Sequence, residues 1–136
     1  MSTDITVDDF MTGVIAACKA KGYQSISMRD ERFYRGMKAG FDELQREATE
    51  HDLDVRFWVF LDQFHHDSPV ISEAVRGAVV RNLVSLDNPE FVNMRIKVDV
   101  PTAESLLDRL PGGADLYLRL ADVFLSSASA PVGADA

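Results

Sequence analysis

Apolar residues return every third or fourth position over most of the chain, and in a few stretches they alternate with polar ones instead. Val7, Phe10, Val14 and Cys18 share one helical face, widened by Met11 and Ile15, which predicts a helix from Thr6 to about Lys21. Thr6 and Asp9 offer a hydroxyl and a carboxylate to the orphan amides of its first turn. Lys19 and Lys21 meet the carbonyl end of the helix, and Gly22 can take a left-handed cap. Cys18 is expected in the core. Phe33, Met37, Phe41, Leu44 and Ala48 predict a second helix from Arg29 to about His51, capped by Ser27. Inside it, Gly36 and Gly40 each cost about 1 kcal/mol relative to alanine. Close approach of another backbone, within the chain or from a second copy in a homodimer, should compensate.

Ser68 and Pro69 form an N-cap and first-turn pair, and Ile71, Val75, Ala78, Val79, Leu83 and Leu86 carry a third helix to about Leu86. Thr102 is expected to cap a short helix with Leu106, Leu107 and Leu110. Pro111-Gly112-Gly113 breaks the chain, and Leu116, Leu120, Val123 and Phe124 line a last helix.

Alternation marks the strands. From Asp54 to Asp62, Val55, Phe57, Val59 and Leu61 lie on one face, with Trp58 and Phe60 on the other. This predicts a central strand buried on both faces with Trp58 in the core, although Leu53, Phe57, Phe60, Leu61 and Phe64 also match a helical period. From Phe91 to Val100, Met94, Ile96, Val98 and Val100 alternate with Arg95, Lys97 and Asp99, predicting a half-exposed strand that Pro101 ends. Asn88-Pro89-Glu90 competes as a helix start. Tyr23 to Met28 alternates more weakly. The expected fold is therefore α/β or α+β, with a two- or three-stranded sheet (strands near 23–28, 54–61 and 92–100) covered by about five helices. Strands joined through helices should be parallel. An all-α bundle is the alternative. Residues 1–125 read as one globular domain and residues 126–136, rich in Ser, Ala, Gly and Pro, as a disordered tail.

Composition narrows the class. The longest apolar runs, Val14 to Cys18 and Phe57 to Leu61, fall far short of the ~18 residues of a membrane span, and the polar start lacks the pattern of a secretory signal. Cys18 is the only cysteine among 136 residues, so neither a disulfide framework nor a cysteine zinc site is available. A soluble, cytoplasmic protein without a cofactor is expected. Twenty-two acids against 14 Lys and Arg give a net charge of -8, which disfavours bulk nucleic-acid binding and acidic membrane surfaces and suits a basic protein partner. The charge is uneven: residues 19–38 carry +4 and residues 42–54 carry -5, from six acids and Arg46.

The densest candidate chemistry is the loop from Asp62 to Ser68. Asp62 and a histidine, His65 or His66, could ligate a metal that activates water, or a carboxylate, Asp62 or Asp67, could orient a histidine as general base. The Ser68 helix start could hold a small anion. The bland reading is that Asp67 or Ser68 caps a helix beside solvated histidines. His51-Asp52 and His66-Asp67 resemble pairs used by metal-dependent phosphohydrolases, but that family is all-helical and a strand is expected between the two pairs here, so its site is not carried over. Arg29, Arg32, Tyr34, Arg35 and Lys38 are the one basic and aromatic interleaving, a candidate binding face whose bland reading is a solvated helix surface, with Lys38 paired to Asp42 and Arg46 to Glu50. No phosphate-loop, dinucleotide, serine-hydrolase or zinc-protease signature is present. The leading expectation is an acidic interaction module of accessory, regulatory or inhibitor type, leaning away from enzyme. A small metal-dependent hydrolase using the Asp62–Ser68 loop and an anion-sensing domain are the alternatives.

Overall fold

A computed structural model describes residues 3–28, 31–61, 68–86 and 93–129. The elements run β1 (Thr3–Ile5), α1 (Val7–Ala20), β2 (Ser25–Ser27), α2 (Arg32–His51), β3 (Leu53–Val55), α3 (Pro69–Val80), β4 (Val84–Ser85), β5 (Asn93–Ile96), α4 (Val100–Arg109) and α5 (Ala114–Ser129). Helices dominate, and the strands form two small sheets in a small α+β fold. One sheet pairs β1 with β3 in parallel, with Thr3 opposite Leu53 and Ile5 opposite Val55. The other is antiparallel in the order β2-β5-β4, with Ile26 opposite Met94 and Val84 opposite Ile96. The expectation of uniformly parallel strands is thus corrected. Residues 86–92 are too few for the dozen or more that a parallel crossover needs, so β4 and β5 can only run antiparallel.

α1 is the central helix. Its start is a capping box in which Thr6 N donates to Asp9 Oδ2 at 3.0 Å and Asp9 N to Thr6 Oγ1 at 3.1 Å. Its end turns on Gly22, with a left-handed φ of 102°, and the Tyr23 amide reaches back to the Cys18 carbonyl at 3.0 Å. Between these ends, Phe10 through Lys19 are all buried, because α3, α4 and α5 all pack against this one helix. A helix covered nearly all round needs apolar or small residues all round. The Tyr117 ring of α5 lies directly against Gly13, and its hydroxyl donates to the Pro111 carbonyl at 2.6 Å.

α2 buries Phe33, Met37, Phe41 and Leu44 as the spacing predicts. Gly36 receives the ring and carbonyl of Phe124, while Gly40 faces Phe10 and the Leu120 carbonyl. The compensation therefore comes from α5 and α1 of the same chain. Ser27 belongs to β2, and the N-cap of α2 is Glu31, which makes no side-chain cap bond.

Four predicted boundaries move. β3 stops at Val55, and the last rung is the Arg56 amide on the Ile5 carbonyl at 2.9 Å. Beyond Ile5 the partner strand has already become the cap of α1, so residues 56–61 have no strand to pair with among the described residues. α3 ends at Val80 rather than near Leu86, because Asn82 adopts a left-handed φ of 67° and the Leu83 amide closes on the Ala78 carbonyl at 2.9 Å. Asparagine is the residue that tolerates this cap best after glycine. β5 ends at Ile96 because Asp99 caps α4, accepting from the Thr102 amide at 2.9 Å. Pro101 then sits in the first turn of α4 instead of terminating a strand, and Thr102 is not the cap. α5 runs to Ser129, into the segment expected to be tail, as Ser and Ala do not interrupt a helix.

Candidate functional site

Asp62, His65, His66 and Asp67, together with Arg29, lie outside the described residues. Ser68 is described: it is buried, and its hydroxyl accepts from the Ile71 amide at 3.3 Å as the N-cap of α3. Among the described residues no group of three or more His, Cys, Asp or Glu is arranged to hold a metal.

The remaining basic and aromatic candidates sit on the first half of α2 but do not converge. Arg32 lines a cavity of about 280 Å3 with Ile26, Phe124 and Leu125. The Tyr34 hydroxyl lies 2.9 Å from Ser72 Oγ and ties α2 to α3. Arg35 Nε and Nη2 are buried and make no hydrogen bond among the described residues. Lys38 Nζ pairs with Asp42 Oδ1 at 2.6 Å and lies 5.7 Å from the centre of the Phe41 ring. The expected partnerships of Lys38 with Asp42 and of Arg46 with Glu50, the latter at 3.6 Å, are both present.

Tyr34, Lys38 and Phe41 are spaced four and three apart, so they form one stripe of α2. Next to that stripe runs the segment 56–61. Its side chains alternate between inside and outside: Val59 is fully buried and Phe57 packs on Phe10 and Phe41 with ring centres 5.5 and 5.3 Å away. Trp58 and Phe60 point out, 58 % and 63 % exposed. The Trp58 ring touches the molecule edge-on through Phe41, at 5.5 Å and 72°. The expected alternation is therefore present, but the expected second cover is not. Trp58 is corrected from a core residue to a surface one, because a segment without a paired strand beside it is packed from one side.

A second cluster was not foreseen from the sequence. Glu47 on α2 is only 4 % exposed, and Arg119 on α5 grips its side chain with Nε at 2.7 Å and Nη2 at 3.1 Å. His51 Nε2 lies 3.2 Å from Glu47 Oε1. The Arg119 hydrogen bonds hold the Glu47 carboxyl below the usual range against the opposing effect of burial, and Glu47 in turn raises the Arg119 guanidinium. Glu47 and His51 are four apart and could have been read as neighbours on one helix face. Arg119 lies 72 residues away, and no local spacing announces it. Beside the cluster opens a cavity of about 450 Å3.

Cys18 is fully buried, and desolvation pushes its thiol up to about 12, so it is an inert packing residue. No helix among the described residues is long and apolar enough to cross a membrane. No protein-family model, curated protein or solved structure matches the chain.

Proposed function

We propose that this chain is a small acidic interaction module of the cytoplasm that acts by binding a protein partner, not by turnover, through the face carrying Trp58 and Phe60. The observation that carries the reading is the outward pair itself. Fully covering an aromatic side chain removes about 150–250 Å2 from water, so at these exposures the two rings leave roughly 180–300 Å2 open. Covering that area is worth about 4–8 kcal/mol before the cost of association. The pair can thus anchor an interface but needs a polar rim around it. Lys38 with Asp42 and Arg56 with Asp54 supply ion pairs at that rim. The net charge of -8 favours a basic partner by long-range steering.

The test compares the parent with a Trp58→Ala/Phe60→Ala double variant in affinity capture from an extract of the source cells, with circular dichroism as a fold control. The reading expects a partner retained by the parent and lost by the folded variant. Capture that is identical in both removes the role of this face. Light scattering distinguishes a second copy of the chain from a different protein.

A further inference from the structure

We propose that the cavity beside Glu47, His51 and Arg119 binds a small zwitterion, a molecule carrying an ammonium and a carboxylate on a short aliphatic body. This site is separate from the aromatic face and independent of its role. Thr3, His51, Leu53, Asp115, Leu116 and Arg119 line the cavity, whose volume of about 450 Å3 lies within the range of small-molecule sites. Leu116 is buried and Leu53 half-buried, giving an apolar floor.

The charges choose the ligand. Arg119 commits Nε and Nη2 to Glu47, which fixes the guanidinium plane and matches its charge. Nη1 makes no bond among the described residues, so it remains a donor without a surplus of positive charge behind it. Asp115 makes no ion pair among the described residues either, and it lies four positions before Arg119 on the same face of α5. A ligand with only a carboxylate would find the Arg119 donor but face the Asp115 charge. One with only an ammonium would satisfy Asp115 and leave the donor unanswered. A molecule carrying both groups satisfies both residues. His51 also lines the cavity, with Nε2 3.2 Å from Glu47 Oε1.

The experiment titrates the full chain with L-valine, isovalerate and isobutylamine, which share one carbon body and differ in charge, and reads binding by calorimetry and by shift of the melting temperature. L-valine should bind and raise the melting temperature, and the two single-charge analogues should bind more weakly. Asp115→Asn, an exposed position whose change leaves the core untouched, should weaken L-valine by about tenfold or more, the effect of losing one charged hydrogen bond. Absence of L-valine binding at millimolar concentration, equal binding of all three compounds, or full binding by a folded Asp115→Asn variant each overturns the proposal.

Discussion

Alanine at position 13 sets two effects against each other, and the structure decides between them. In a helix interior, Gly to Ala is worth about 1 kcal/mol in favour of the variant. Against this, a Cβ on residue 13 would overlap three carbons of the Tyr117 ring, with Cε1 only 2.6 Å away. The ring has little freedom to move aside, since Tyr117 is fully buried and its hydroxyl is tied to the Pro111 carbonyl at 2.6 Å. Overpacking a filled core costs about 1–3 kcal/mol, and shifting the ring also weakens a hydrogen bond worth about 0.5–1.5 kcal/mol. The net is a loss of about 0.5–3.5 kcal/mol for Gly13→Ala, read as a lower urea midpoint with an unchanged slope. Gly77→Ala is the matched comparison. There the nearest atoms are Arg81 Nη1 at 3.4 Å and Asp8 Oδ1 at 3.5 Å, both ends of flexible side chains. Propensity should win, and the variant should gain up to about 1 kcal/mol. A Gly13→Ala protein as stable as the Gly77→Ala one would refute the close approach of α5 to α1.

Two further predictions concern buried charge. Arg35→Met removes two guanidinium donors, Nε and Nη2, that are buried without partners among the described residues, and chemical denaturation should show unchanged stability or a gain of about 1 kcal/mol; a loss of similar size would mean that the guanidinium has a stabilising role. Arg119→Met leaves the buried Glu47 carboxylate without its main partner, although Arg46 Nη2 stays 3.7 Å away. Since Arg119 is half-exposed, the expected loss at neutral pH is about 1–3 kcal/mol, below that of a fully buried pair. Because the folded Glu47 pKa is depressed, the pair stabilises above the unfolded carboxyl pKa, and its contribution fades as pH falls through the folded value. The gap between parent and variant should close in that acid window, and a gap independent of pH would contradict the assignment.

What the sequence made legible was local. The Thr6–Asp9 box, the Gly22 cap, the Ser68 cap and the α2 stripe follow from residue types within one turn of each other, and each forms as read. Gly36 and Gly40 point to a close neighbour for the same reason, and Gly13 carries an equally plain signal inside α1. What stayed hidden depends on distant chain. Whether residues 56–61 become a central strand is decided by β1, which ends at Ile5 because Thr6 caps α1. The same dependence turned Trp58 outward. The Glu47–Arg119 contact joins α2 to α5 and could not be seen from either helix alone. Asn82 and Asp99 were local signals of a helix end and a helix start that the longer hydrophobic patterns obscured.

Trp58 is the only tryptophan in the chain, so the fluorescence of the dilute monomer reports on the proposed face without interference. Acrylamide and iodide quenching of that emission is the most direct test of the account. An exposed ring should emit as in water and be quenched efficiently by both agents, and Phe60→Ala should change this little. A blue-shifted emission shielded from iodide in the monomer would mean that the face is already covered, and the interaction reading would lose its basis.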